Sequence, residues 1–236
     1  MRRLTIVVPV LNEAAIIVGA LRALAPLRAR GAELILVDSG SSDGTPRLAA
    51  PFADHVLNAP RGRGAPLNAG AALGTGGAFL FLHADTMLPE NADGLIAAAL
   101  TRHPWGRFDL RIAGRHPFLA VVARMINRRS RLTGIASGDQ AIFVTREAFA
   151  AVGGFPELPL MEDIAMSRRL KRLSRPACIA TPVITSGRRW EHHGLWRTIM
   201  LMWRLRLAYY LGAEPARLAR HYGAVPASAA QGGAGP

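Results

Sequence analysis

The sequence predicts an α/β fold in which helices cover a buried sheet, and three observations predict it. Short apolar runs of four to seven residues, rich in Val, Ile, Leu and Phe, alternate with helical patterns through the first hundred residues. Strand runs apolar along their length suit a parallel sheet buried on both faces and built from βαβ units. Polar and charged motifs follow the strand runs directly, beyond the carboxyl ends where such sheets assemble their sites.

In chain order, Leu4–Val10 is the first strand and a helical pattern runs from residue 12 toward residue 30. Residues 34–38 form the second strand. The next helix opens at Thr45-Pro46, an N-cap followed by proline at the first helical position. His55–Asn58 is the third strand, a helix begins after Pro66, and residues 79–84 form the fourth strand. The second half is less regular. It suggests a helix around 118–131, a strand around 140–145, a helix around 162–173, and one long helical pattern from 195 to about 222. Residues 224–236 are dominated by Ala, Gly, Pro, Ser and Gln without periodicity, a composition expected to be disordered.

With 236 residues, half of them apolar, the chain can bury a core sufficient for one domain with an appendage. Cys178 is the single cysteine, which excludes an internal disulfide, and the N-terminus enters a strand rather than an apolar leader. Together these predict a cytoplasmic protein. The net charge of +13 is carried almost wholly by arginine, with Lys171 the lone lysine. Such a charge suits an anionic partner, whether nucleotide, nucleic acid or anionic lipid, although arginine-rich genome composition produces it equally well. Arg197, Arg204 and Arg206 interrupt the best candidate for a membrane span.

Five motifs carry chemistry. Asn12-Glu13 follows the first strand, and 38–45 (Asp-Ser-Gly-Ser-Ser-Asp-Gly-Thr) follows the second. Asp38 can accept hydrogen bonds from a base or ribose while the glycines permit close backbone approach. Arg61-Gly62-Arg63-Gly64 with Asn68 places guanidiniums before a helix N-terminus, an arrangement suited to phosphate. The G-x-G-x-x-G fingerprint is absent, which argues against a dehydrogenase. His83-Ala84-Asp85 puts an imidazole and a carboxylate two residues apart at a strand end, where strand alternation would aim both one way. A Mg²⁺ or Mn²⁺ ion on a diphosphate needs only one or two protein ligands, so Asp85 fits, with His83 as a ligand or hydrogen-bond partner. Glu162-Asp163 opens a helix; acidic residues are favoured there by the macrodipole, and Asp163 is also a candidate base for an alcohol.

Residues 9–13 (Pro-Val-Leu-Asn-Glu), 37–45, His83-Ala84-Asp85, Gly138-Asp139-Gln140 and Glu162-Asp163 together resemble the ordered signature of family 2 glycosyltransferases. The stretch 185–190 (Thr-Ser-Gly-Arg-Arg-Trp) is similar to small bacterial members encoded beside radical-SAM and selenium-related genes. The resemblance implies a GT-A fold, a Rossmann-like mixed sheet flanked by helices. It implies a UDP- or GDP-linked sugar donor, a divalent metal (Mn²⁺ or Mg²⁺), a hydroxyl acceptor and inversion at the anomeric carbon. It places Pro9, Glu13 and Asp38 at the nucleoside, Asp85 at metal and diphosphate, and Asp163 as the base. Gly138, Asp139, Glu162, Arg189 and Trp190 fall on the acceptor or leaving-group side. His83 replaces the first Asp of the family's Asp-x-Asp motif, and Ser186 stands where processive members have glutamine, which implies a non-processive enzyme.

The domain organisation expected is a catalytic unit over 1–190, divided near residue 100 into donor and acceptor halves. A helical extension over 191–223 and the tail follow. Trp196, Trp203, Tyr209 and Tyr210 within 195–211 suit a peripheral membrane contact, a lipid-linked acceptor, a homodimer contact or core packing. Phe118, Val121, Val122 and Met125 form an apolar stripe expected to face the core, with Arg124, Arg128 and Arg131 on another face. His192 and His193 are further metal-ligand candidates. A nucleotidyltransferase would favour a glycine-rich, lysine-bearing first loop, which is missing, and a nucleic-acid-binding protein leaves the strand-end acids without a role, so no nucleic acid is expected.

Overall fold

The computed structural model describes residues 3–223, except the side chains of Arg189, His192 and His193; the stretch 224–236, expected to be disordered, lies outside the described residues. The strands are β1 (Leu4–Val10), β2 (Glu33–Asp38), β3 (His55–Asn58), β4 (Ala78–Phe81), β5 (Thr86–Met87), β6 (Trp105–Ala113), β7 (Phe143–Thr145) and β8 (Ala177–Ser186). The helices are α1 (Ala14–Ala23), α2 (Ala25–Ala29), α3 (Thr45–Ala49), α4 (Gly64–Leu73), α5 (Ala92–Ala99), α6 (Leu119–Thr133), α7 (Arg146–Ala151), α8 (Glu162–Leu170), α9 (Arg188–His193), α10 (Leu195–Tyr210) and α11 (Pro215–Tyr222).

The strands form one sheet in the order β3-β2-β1-β4-β7-β6-β8-β5. The first four are mutually parallel, β7 runs antiparallel to both β4 and β6, and β8 runs parallel to β6. The carboxyl ends of β1, β2, β4, β6 and β8 therefore share one rim.

Burial on both faces explains the unbroken apolar runs. From β1, Ile6, Val8 and Val10 join Ile17, Leu21, Leu24 and Leu27 of the α1–α2 side in one core. Val7 joins Ile35, Val37, Phe79 and residues of α4, α7 and α8 in the other. Helix α4 packs so tightly on β1 that a Cβ on Gly70 would sit 2.4 Å from Val7 Cγ1 and 3.0 Å from Val37 Cγ2. Only a glycine allows that approach.

Several expectations change. The helix expected over 12–30 breaks at Leu24, where Pro26, lacking a backbone N–H, sits in the first turn of α2. The fourth strand ends at Phe81 rather than at residue 84. Strands β6 and β8 have no counterpart in the expected elements. β6 hides a fully buried Arg107 paired with Asp109, and β8 carries Pro182 at a register shift opposite Asp109, so neither reads as a regular strand. The single C-terminal helix divides into α10 and α11, because Gly212 has a φ of 91° and Pro215 starts a new helix. Leu205 of α10 and Leu218 and Ala219 of α11 pack on Ile135, Leu160, Met161 and Ile164, so this pair closes over the start of α8.

Candidate active site

The rim is assembled by loops that hold one another. Asn12, with a φ of 55°, accepts from Ser42 N at 2.9 Å, and its own N–H donates to Ser41 Oγ at 2.9 Å. Ala14 N donates to Asp43 Oδ2 at 2.9 Å, and Glu13 N donates to Thr45 Oγ1 at 2.9 Å. The hydrogen bond from Thr45, then that from Ala14, holds the Asp43 carboxyl below its ordinary range. Asp38 is buried and accepts from the backbones of Gly40 and Ser41, both at 2.9 Å, and from the Ser41 hydroxyl. Its carboxylate shapes the loop after β2. That loop is in turn stapled to the loop after β1.

A cavity of about 750 Å³ opens on this rim. Its walls bring together Asp85 and His83 after β4, Gly138 and Asp139 before β7, Glu162 and Asp163 at the start of α8, Arg188 and Trp190 of α9, and Arg63 after β3. Thr198, Met202 and Arg206 of α10 and Tyr222 of α11 complete it. The C-terminal helices are therefore part of the cavity wall. His83 and Asp85 reach the cavity from a turn closed by Thr86 N donating to His83 O at 3.0 Å, and not by strand alternation as expected. Ser186 N donates to Asp85 O at 3.2 Å, which ties this turn to the end of β8.

Asp163 accepts from Gly138 N at 2.9 Å and from Ile164 N at 2.7 Å, one hydrogen bond per carboxylate oxygen. Those bonds fix its rotamer and leave a lone pair on each oxygen. Gly138 packs directly on His83, where a Cβ would lie 2.8 Å from Nε2. His83 Nδ1 is 3.3 Å from Asp139 Oδ1. Burial alone would lower the imidazole pKa, but the hydrogen bond and charge of Asp139, with Asp85 behind, raise it.

Glu162 is 6% exposed; Arg63 Nη1 donates to its Oε1 at 3.3 Å, while Oε2 is buried without a partner. Burial, reinforced by the charge of Asp163 and opposed by Arg63, pushes its carboxyl up to about 7. Arg63 also stacks over the Tyr222 ring at 5.2 Å. Arg188 spans two loops, with Nη2 at 3.2 Å from Glu13 Oε2 and 3.5 Å from Asp85 Oδ2. Burial would lower its pKa, yet the two carboxylates raise it. Arg206 lines the cavity with its Nε buried and unpartnered.

Among the described residues, the non-glycine positions with positive φ are Asn12, Ala141 and Met161. Each adjoins a loop of this rim: one precedes Glu13, one follows 138–140 and one precedes Glu162. Left-handed backbone costs a non-glycine residue on the order of 1 kcal/mol or more and persists where the surroundings impose it, as at functional sites.

Of the residues expected at the site, Asp85, His83, Arg63, Gly138, Asp139, Glu162, Asp163 and Trp190 line the cavity, and Glu13 reaches it through Arg188. Pro9 is half-buried in β1. Asn68 is turned away: its amide donates to Phe155 O at 2.8 Å and accepts from Phe155 N at 2.9 Å, bracing α4. The side chains of Arg189 and of the metal candidates His192 and His193 lie outside the described residues. Arg188 and Arg206 are cavity residues that the sequence did not single out. Arg188 is the neighbour of the expected Arg189, and Arg206 lies in the amphipathic pattern of α10, where spacing alone does not tell inner from outer arginines.

No group of three or more His, Cys, Asp or Glu side chains among the described residues is arranged to hold a metal ion. The Asp85 carboxylate, beside a cavity lined by guanidiniums, fits a hard cation that takes its remaining ligands from phosphate oxygens and water.

Residues 5–119 match the family model described as Glycosyl transferase family 2. A comparison with curated proteins finds no match. Among solved structures, S. aureus TarS 1–349 in complex with UDP-GlcNAc aligns with a TM-score of 0.64 at 18% identity, over 78% of this chain and 58% of that one. The mannosyltransferase PcManGT from Pyrobaculum calidifontis, in complex with GDP-Man and Mn²⁺, aligns with a TM-score of 0.63 at 23% identity, over 96% and 66%. Glucosyl-3-phosphoglycerate synthase from Mycobacterium tuberculosis, with Mn²⁺, UDP and phosphoglyceric acid, aligns with a TM-score of 0.63 at 20% identity, over 90% and 79%. The chain thus spans less than two thirds of the length of the first two. At these identities the likeness is one of fold, and the fold is the GT-A glycosyltransferase fold.

Proposed function

We propose that the protein is a glycosyltransferase that moves a sugar from a UDP- or GDP-linked donor to a hydroxyl acceptor. The observation that carries this reading is the single cavity holding Asp85, the Glu162-Asp163 pair and the guanidiniums of Arg63, Arg188 and Arg206. Transfer from a nucleoside diphosphate needs a base for the acceptor and positive charge for the leaving group, placed in line across the anomeric carbon. Asp163, its rotamer fixed by Gly138 and Ile164, takes the acceptor proton. Arg63, Arg188 and Arg206 bind the diphosphate. Asp85 holds a divalent cation, Mn²⁺ or Mg²⁺, which when bound neutralises charge on the leaving diphosphate. Pro9, Glu13 and Asp38 serve the nucleoside, Asp38 by fixing the loop after β2; Gly138, Asp139 and Trp190 shape the acceptor side.

In this reading the reaction inverts the anomeric centre and is non-processive, and residues 1–190 form the catalytic unit with 191–223 as its helical wall. The 185–190 stretch supports the narrower likeness to the small radical-SAM-associated members. We place the protein in the cytoplasm, with a lipid-linked acceptor met at the inner membrane face. No helix among the described residues is long and apolar enough to cross a membrane.

A thermal-shift screen of UDP-, GDP- and dTDP-sugars and free UDP, with and without Mn²⁺, tests the reading. A Mn²⁺-dependent rise in melting temperature with one donor is expected. The absence of a shift with every nucleotide in the presence of Mn²⁺ would overturn it.

A further inference from the structure

α10 buries one side against the protein and leaves the other in solvent. Trp196, Met200, Trp203, Leu207, Tyr210 and Leu211 are all exposed, the two tryptophans at 65% and 63%. Their spacings of three and four residues put them on one face of the helix. α6 repeats the pattern. Phe118 at its N-cap, Val121, Met125 and Leu132 are exposed, whereas Val122 is buried, so the stripe expected to face the core lies mostly on the surface. The rings of Phe118 and Trp196 meet with centroids 5.8 Å apart, which joins the two stripes into one apolar surface. Exposed contiguous patches of this kind mark interaction sites.

The charge at the border identifies the partner. Arg124 and Arg128 of α6 and Arg197 and Arg204 of α10 are exposed, and neither helix contains an Asp or Glu. A second copy pairing through the same patch would bring arginine rows against arginine rows. Lipid phosphates offer the opposite charge, and Trp and Tyr beside Arg on a helix too short and too charged to span suit a bilayer interface. We propose that the outer faces of α6 and α10 dock the protein on an anionic lipid bilayer, with α10 lying in the plane of the surface over about 24 Å. The opposite sides of the same helices, at Ile126, Thr198, Met202 and Arg206, line the cavity. Docking therefore sets the cavity about one helix diameter, roughly 10 Å, from the headgroups. The docking surface stands whichever donor the cavity takes.

Flotation of the full chain with vesicles of phosphatidylcholine, alone or mixed with phosphatidylglycerol, tests it. The protein floats with the anionic vesicles, less so in high salt. W196A/W203A lowers the vesicle-bound fraction about tenfold or more, R197E/R204E acts likewise, and both variants melt as the wild type does because the altered side chains are exposed. Failure of the wild type to float with anionic vesicles would overturn the proposal, as would flotation unchanged in W196A/W203A. So would a dimer in sedimentation equilibrium that W196A/W203A dissolves while vesicles bind nothing, since the stripe would then belong to a second copy.

Discussion

Replacing Glu162 by Gln isolates what it costs to keep a carboxyl in the cavity wall. Glu162 is 6% exposed, with one oxygen facing Arg63 and the other buried without a partner. Its pKa rises from 4.5 to about 7, first through burial and then through the Asp163 charge, against the pull of Arg63. The folded protein thus holds this proton more tightly than the unfolded chain does. The contribution of Glu162 to stability is fully present below pH 4.5, falls as the pH rises between 4.5 and about 7, and levels off above. At roughly 1.4 kcal/mol for each tenfold change in proton affinity, the whole fall is on the order of 3 kcal/mol. Glutamine is nearly isosteric with the protonated acid and has no proton to lose. Glu162→Gln therefore matches the wild type near pH 4.5 and exceeds it by up to about 3 kcal/mol near pH 8. Urea unfolding of both proteins across this range measures the difference. Parallel pH profiles would refute the reasoning, because they would mean that the wild-type carboxylate ionises in the cavity without penalty.

Asp163→Asn lowers turnover of the donor found in the nucleotide screen by about 100-fold or more, while nucleotide affinity stays near wild type; an active variant would remove Asp163 as the base. Asp85→Ala abolishes the Mn²⁺-dependent part of nucleotide-sugar binding, and an unchanged calorimetric isotherm in the presence of Mn²⁺ would count against that role. Arg188→Ala weakens binding of free UDP or GDP through loss of a guanidinium that reaches both Glu13 and Asp85; equal affinities in wild type and variant would place the diphosphate elsewhere. Gly70→Ala forces a methyl into Val7 Cγ1 and destabilises the fold by about 1–3 kcal/mol, read as a lower urea midpoint.

How much of this was legible in the sequence depended on whether local signals acted alone. Strands β1 and β2 fall where the apolar runs predict, β2 starting one residue early at Glu33, because a strand buried on both faces needs no distant residue to make its pattern recognisable. The loop ends bearing Glu13, Asp38, Asp85 and Asp163 were also legible, as carboxylates at the ends of regular elements. β6 and β8 were not, since a buried arginine and a mid-strand proline make sense only through Asp109 and the register shift opposite it.

The sequence by itself determined the α/β class, the strand-end motifs and the residues from which a phosphate-handling site could be built. Only the tertiary structure decided which of them meet. Asn68 left the site because Phe155, distant in sequence, offers its backbone to the amide. Arg188 entered it because the end of β8 lies beside the turn that carries Asp85. The apolar stripes of α6 and α10 carry the same periodicity as core helices. Periodicity fixes that a helix has an apolar face, but whether protein or solvent meets that face depends on what packs beside it.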